Sequence, residues 1–210
     1  MKTLAIFAVA GIAAAASAQI SGSAGTTNPT NENVINLADF ANISIQRGGG
    51  NATVTIEFTG DVESWDFELD SSNVVAVFDM GGPATIHGIG WDVTLSTVGA
   101  SWLTEAYVNF GELGGTPGLY LHPGAGTNSP GTASYSSGGI IDLTDNGIPD
   151  VVMASGMLRL EFFESFDDVA DAVDAYWRAG STITLDMTLV PAPGALALLG
   201  LGGLAIRRRR

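Results

Sequence analysis

Between residues 34 and 190, apolar side chains recur at every second position in short runs. In "ATVTIEFT", residues 52–59, Val54, Ile56 and Phe58 alternate with Thr53, Thr55, Glu57 and Thr59; "STITLDMTLV", residues 181–190, repeats the pattern with Ile183, Leu185, Met187 and Leu189. A period of two puts one row of side chains in a core and the other in water. Further runs rich in β-branched and aromatic residues are "ISI" (43–45), "SWDFELD" (64–70), "NVVAVFDM" (73–80), "ATIHGIGWDVTLSTV" (84–98) and "TEAYVNF" (104–110). They continue with "LYLH" (119–122), "GIIDLT" (139–144) and "MLRLEFFE" (157–164). Divided by Gly, Pro, Asn and Asp, such runs predict a mainly β chain, an antiparallel β-sandwich or jelly-roll-like single domain over residues 34–190. "RGGGN", residues 47–51, reads as a hairpin turn.

One segment departs from that period. In "SFDDVADAVDAYWRAG", residues 165–180, Phe166, Val169, Ala170, Val173, Tyr176 and Trp177 recur at helical spacing. Ser165 is placed to cap, Asp167 and Asp168 suit a positive helix end, and Gly180 follows as a stop, so a short amphipathic helix is expected there. Its acidic outer face, Asp167, Asp171 and Asp174, reads as a solvated face.

The two ends carry a different pattern. Lys2 precedes an unbroken apolar and small-residue run, Leu4 to Ala16, and Ala16 and Ala18 stand where signal peptidase needs small side chains, with cleavage expected before Gln19. Residues 1–18 thus read as a signal peptide for the Sec translocon, and 19–33, rich in Ser, Thr, Asn and Gly, as a flexible leader. At the other end, "PAPGALALLGLGGLAIRRRR" places Pro191, Ala192 and Pro193 before an apolar stretch that closes on Arg207, Arg208, Arg209 and Arg210. Gly194 to Ile206 as a helix spans about 20 Å, short of a hydrocarbon core about 30 Å thick. The arginines serve as a cytoplasmic stop on the positive-inside principle.

This tail resembles the PEP-CTERM sorting domain of exosortase substrates, in the Pro-Ala-Pro form associated with planctomycete-like bacteria; the resemblance is confined to residues 191–210. It implies that an exosortase-like membrane protease recognises Pro191 to Pro193 and removes the apolar helix with its arginines. After transient inner-membrane attachment, the rest of the chain would pass to the cell surface or extracellular matrix. A plain C-terminal membrane anchor is the competing reading.

With Lys2 and Arg207 to Arg210 set aside, three basic residues face 22 acidic ones, a net charge of −19 in place of −14. Such a surface repels nucleic acid and anionic membrane and favours solubility, weak divalent-cation binding or tolerance of salt. There is no cysteine, so no disulfide braces an exported fold and the core must suffice.

Candidate chemistry is sparse. "DLTDNGIPD", residues 142–150, spaces oxygen ligands as calcium loops do, with Asp142, Thr144, Asn146 and Asp150 around Gly147. It resembles EF-hand-like and thrombospondin type-3 loops, although Thr144 replaces an acid and Met153 stands where a bidentate Glu belongs. An Asn-Gly turn between strands is the alternative. The stretch 111–139 holds nine glycines and three prolines, and within it Tyr120, His122 and Tyr135 are candidates to line a sugar-binding surface, with an exopolysaccharide as the candidate partner. His87 sits in a strand-like run, where a structural role is expected. No nucleophile elbow, phosphate loop or His pair at metal spacing occurs. Glycosidases need only two carboxylates, and Glu161 and Glu164 are examples that nothing singles out.

Three functions stay open. The first is an exported structural or adhesive protein of the cell surface, matrix or biofilm, without catalysis. The second is a carbohydrate-binding module, with or without Ca2+, and the third a polysaccharide-active hydrolase.

Overall fold

The computed structural model describes residues 19–23, 34–113, 118–168 and 172–190. In chain order the strands are β1 (Ile20–Ser23), β2 (Val34–Asn36), β3 (Ala41–Gly48), β4 (Asn51–Phe58), β5 (Val62–Ser64), β6 (Val74–Asp79), β7 (Ala84–Thr97) and β8 (Ala106–Glu112). They continue as β9 (Gly118–Leu121), β10 (Thr132–Ser136), β11 (Ile141–Asp142), β12 (Val151–Met153), β13 (Met157–Glu164), β14 (Ala175–Trp177) and β15 (Thr182–Leu189). Two one-turn 3-10 helices, Leu37–Asp39 and Thr144–Asn146, complete the described elements.

The strands form two sheets packed as a sandwich. One has six strands in the order β1-β9-β8-β13-β6-β2, antiparallel except where β2 runs parallel to β6. The other has nine strands, with β3-β4-β15-β7-β14-β5 as its path and β10, β11 and β12 also paired to β7. The long strand β7 organises this second sheet. It pairs with β15 over Ala84–Asp92 and with β14 over Leu95–Thr97, while β12, β11 and β10 each pair with it in turn. Thr182 lies opposite Glu57 and Trp177 opposite Val62, so the β4–β5 and β14–β15 lines keep one register across their breaks.

Alternation explains most of the burial. In β4 Ala52, Val54, Ile56 and Phe58 turn inward, and Val54 and Ile56 stand opposite Leu185 and Ile183 of β15. At the β3–β4 hairpin Gly48 faces Asn51, and the two loop residues Gly49 and Gly50 have φ of 61° and 96°, which suits a two-residue turn that needs left-handed backbone. In β7 the inward phase changes: Ala84 and Ile86 are buried, then Ile89, Trp91, Val93 and Leu95. The cause is a β-bulge, for Asp186 faces Gly88 and Met187 faces Ile86, leaving His87 as the extra residue.

The centre of the sandwich is aromatic. Phe162 of β13 meets Phe58 at 5.7 Å and Trp177 at 5.5 Å between ring centroids, both edge to face, and so joins the two sheets. Each such pair adds about 0.5–1.5 kcal/mol beyond burial.

Several sequence expectations change. Among the described residues of 165–180 no α-helix forms; Ala175–Trp177 is strand β14, held between β5 and β7. Ala175 and Trp177 are fully buried with Tyr176 turned outward, so packing of Trp177 against Phe162 overrides the helical spacing. Val169, Ala170 and Asp171 lie outside the described residues. Of "SWDFELD" only Ser64 is strand, and residues 65–73 form a loop over the outer face of the six-stranded sheet. Part of the expected leader is also strand: Ile20 is buried opposite Leu121 in β1, and residues 24–33 lie outside the described set. Within the Gly-rich stretch, Thr132–Ser136 pairs with β7, its hydroxyls forming Ser134–Thr94 and Thr132–Ser96 contacts at 2.8 and 2.9 Å. Among the described residues no helix is long and apolar enough to cross a membrane. The signal region 1–18, with Ala16 and Ala18, and the tail, with Pro191, Ala192, Pro193 and Arg207 to Arg210, lie outside them.

Candidate functional site

Strand β13 is buried on both faces, which an edge-free alternation in "MLRLEFFE" makes possible. Leu158, Leu160 and Phe162 face the core, whereas Arg159, Glu161 and Phe163 turn to the outer face of the six-stranded sheet. There Arg159 Nη2 donates to Glu161 Oε2 at 2.6 Å, with both side chains buried. Glu161 Oε1 also accepts from the Leu69 amide at 2.6 Å and from Asn73 Nδ2 at 3.2 Å. Asn73 in turn accepts from the Asp66 amide and donates to the Phe67 carbonyl. This buried network pins the 65–73 loop, including Leu69 at φ 75°, a left-handed backbone that a branched side chain adopts only under constraint.

The pinned loop delivers Glu68 to a row of aromatic rings. Tyr107 of β8 lies opposite Phe163, and Tyr120 of β9 lies opposite Asn109. Tyr107 stacks on Phe163 at 5.4 Å and on His122 at 4.1 Å, and Tyr120 meets Tyr107 edge to face at 6.3 Å. Tyr120 Oη donates to Glu68 Oε2 at 2.7 Å and Asn109 Nδ2 donates to Oε1 at 2.5 Å. Glu68, Tyr107, Tyr120, Phe163 and Ser165 line a pocket of about 180 Å³. Burial raises both tyrosine hydroxyls above their ordinary pKa, so they stay neutral. Burial also lowers His122, whose Nε2 donates to the Thr104 carbonyl at 2.5 Å, and the ring stacked on Tyr107 is therefore uncharged at neutral pH. Flat neutral rings beside a carboxylate with spare lone pairs fit a small polyhydroxylated ring: faces to stack on and an acceptor for hydroxyls.

Larger depressions on the nine-stranded sheet include two of about 220 Å³ and 290 Å³. In the first the aromatic lining is Trp91, which is only 3% exposed, and the second, beside the β3–β4 hairpin, has no aromatic lining. Neither offers a stacking face.

Of the expected sugar-contacting residues, Tyr120 and His122 do come together, on either side of Tyr107. Tyr135 does not join them. It lies opposite Val93 in the other sheet and packs against the core. Tyr107, Phe163 and Glu68 escaped notice in the sequence, yet a signal was present. Tyr107 falls in the outward phase of β8, between buried Ala106 and Val108, where an aromatic side chain is unusual unless something covers or uses it.

The 142–150 loop folds as a turn. Asp142 Oδ1 accepts from Thr144 Oγ1 at 2.7 Å and from the Asp145 amide at 3.0 Å, while Asn146 Nδ2 donates to the Asp142 carbonyl at 2.8 Å. Gly147 closes it with φ 73°. Asp150 goes elsewhere, to His87 Nδ1 at 2.8 Å, and His87 Nε2 meets Thr188 Oγ1 at 2.8 Å, so the bulge histidine ties three segments together. Among the described residues no three His, Asp or Glu side chains stand close enough to share one metal ion as placed. Glu161 and Glu164 lie on opposite faces of β13 and do not form a glycosidase-like pair. Gln19 is held at the start of β1, where its carbonyl accepts from the His122 amide at 2.8 Å.

No family model matches the chain, and no curated protein matches it. Among solved structures, the chain is similar to the VP2 subviral particle of infectious bursal disease virus, with a TM-score of 0.28 and 15% identity over 68% of this chain and 37% of that one. A structure of the Gx strain of the same virus gives a TM-score of 0.24 and 12% identity over 75% of this chain and 42% of that one. The chain thus spans well under half of either structure, and neither likeness bears on function.

Proposed function

We propose that the protein is an exported, non-catalytic adhesive component of the cell surface or extracellular matrix, and that the surface it adheres to is saccharide. The observation that supports the adhesive contact is the pocket of Tyr107, Tyr120 and Phe163 with Glu68 at its rim. At about 180 Å³ it is smaller than the roughly 300–1,000 Å³ of pockets that enclose whole small molecules, and suits one ring of a longer chain. Weak single-ring contacts multiply when many copies meet one polymer, which is the regime of a matrix protein. Export and sorting rest on the signal-like residues 1–18 and the Pro-Ala-Pro tail, with the acidic surface keeping the released domain soluble.

A glycan array followed by titration tests the contact. The native chain should bind at least one saccharide class, Tyr107→Ala should weaken that binding at least tenfold, and Tyr135→Ala should leave it unchanged. Absence of any glycan signal, or equal binding by all three, would remove the saccharide reading. Intact mass of the protein from the producing cells, taken from envelope and medium separately, tests sorting: loss of residues 1–18 with truncation near Pro193 is expected. A chain still ending in Arg210 would make the tail a permanent anchor.

A further inference from the structure

The aromatic pocket on the six-stranded sheet has a single sign of charge. Of the side chains that line it, Glu68 is the one acid and none is basic. Glu68 is half-buried, and its two hydrogen bonds come from neutral donors, Tyr120 Oη and Asn109 Nδ2. Neutral donors orient a carboxylate without cancelling its charge. Among the described residues Glu68 forms no ion pair. Arg159 gives its Nη2 to Glu161 at 2.6 Å, Arg178 gives Nη1 to Asp61 at 2.9 Å, and Arg47 stands by the β3–β4 hairpin of the other sheet. The chain's one lysine, Lys2, lies outside the described residues.

The rings around this carboxylate add to the pattern. Tyr107 and Phe163 stack at 5.4 Å, and Tyr120 stands edge-on to them at 6.3 and 5.8 Å. An aromatic face carries partial negative charge and attracts cations, more strongly where water is partly excluded. Burial raises the Tyr120 hydroxyl most, and the negative charges of Glu68 and Glu161 push it the same way, while the Ser23 hydroxyl opposes them. His122, stacked on the far side of Tyr107 and uncharged, supplies no balancing cation.

We propose that the pocket selects an amino sugar whose amine is free and protonated, with the ammonium against Glu68 and the sugar ring on Tyr107 and Tyr120. The proposal rests on the saccharide reading of this pocket and deepens it by naming the class of sugar. A neutral or N-acetylated sugar offers Glu68 only hydroxyls or an amide and leaves its charge uncompensated. A uronic acid brings a like charge against it, which disfavours binding. An ammonium brings three donors for the spare lone pairs of Glu68 and a positive charge for the ring faces. Ser165 at the edge provides a hydroxyl for the sugar's own. A polymer of such units is a polycation, and the net charge of −19, with Lys2 and Arg207 to Arg210 set aside, draws it toward the surface. That long-range attraction acts on any cation; the rings and Glu68 together demand a cation carried on a stackable ring.

The test is calorimetric titration of the full chain at pH 6 in 150 mM NaCl with tetramers of glucosamine, N-acetylglucosamine and glucose, and with tetralysine as a cation without a sugar ring. The glucosamine tetramer should bind at least tenfold more tightly than the other three, and raising the pH through the pKa of the sugar amine should remove the preference. Glu68→Gln should erase the preference while keeping weak binding of all three sugars, which also shows that the variant is folded. Glu57→Gln changes net charge equally at an exposed position on the other sheet and should keep the preference. Equal binding of the neutral tetramers would overturn the amino-sugar inference and leave the saccharide reading standing. A preference that survives in Glu68→Gln, or tetralysine bound as tightly as the glucosamine tetramer, would overturn it in favour of general attraction to an acidic surface. Binding of no sugar at all would remove both readings.

Discussion

Glu161 and Glu164 stand three positions apart on one strand, both with no exposed surface, and they have opposite electrostatic company. Glu161 faces outward beneath the 65–73 loop and meets the Arg159 guanidinium and two further donors. Glu164 sits at the strand's end between the sheets and meets other acids. The comparison teaches that burial alone does not decide what a carboxylate does. A compensated one becomes a structural pin, here for the loop that rims the aromatic pocket, while an uncompensated one retains capacity for a proton.

The largest expected effect breaks the first member of the pair. Glu161→Ala takes its carboxylate from the buried Arg159 and frees the 65–73 loop, and should cost about 3–5 kcal/mol in urea-induced unfolding. The double replacement Arg159→Met with Glu161→Leu should recover much of that loss, because an apolar pair carries no desolvation penalty. A double variant as unstable as the single one would show that the loop contacts, and not the ion pair, dominate.

Next comes the uncompensated member. Because the folded-state pKa of Glu164 lies above its ordinary 4.5, the folded protein holds this proton longer than the unfolded chain does. Its stabilising contribution is complete below about pH 4.5 and is lost as pH rises through the raised value. Unfolding free energy measured against pH should therefore fall upward of that point by up to about 1.4 kcal/mol per pH unit for this one proton. Asp174 and Glu105, both raised by burial, face the same group and steepen the fall. Glu164→Gln should flatten the profile; an unaltered slope would place the titration elsewhere.

Smaller still is Tyr120→Phe, which removes one hydrogen bond to Glu68 at the pocket rim while keeping the ring. A loss of about 1 kcal/mol in stability is expected, with a larger proportional loss in saccharide affinity than in melting temperature. Equal affinity would mean that the hydroxyl only props the loop. Smallest is Asp142→Asn. The Thr144 hydroxyl and then the Asp145 amide hold the Asp142 carboxyl below its ordinary 3.8, so the wild-type advantage is present above that pH and lost as acid protonates it. The group is solvent-exposed, and denaturation at pH 7 should barely register the change.

The fold was legible where alternation was clean. Val54, Ile56 and Phe58, and Ile183, Leu185 and Met187, announced β4 and β15 because a half-buried strand has no other way to sort its side chains. Legibility failed at Ala175–Trp177, where helical spacing was real but pairing with β5 and β7 and the contact with Phe162 claimed Trp177. It failed again at Thr132–Ser136, whose hydroxyl ladder against β7 carries little apolar signal. In β7 the shift of inward phase after Ile86 was visible in the letters, but only the pairing with β15 explains it as a bulge at His87.

What the sequence determined by itself is therefore local: two-fold periodicity, the Gly49-Gly50 turn, the acidic balance, and the terminal patterns on which the export and sorting proposal rests. These follow from the residue and its near neighbours. The tertiary structure alone decided which aromatic rings share a pocket and which acids gather at one end of the sandwich. Tyr107, Tyr120 and Phe163 come from three strands, and Ser64 and Glu164 from the ends of β5 and β13, Asp174 from the residue before β14, and Ser101 and Glu105 from the β7–β8 connection. The physical reason is that burial and electrostatic company are properties of position in space. A glutamate in "MLRLEFFE" acquires a guanidinium or a nest of carboxylates only when the sheets close around it.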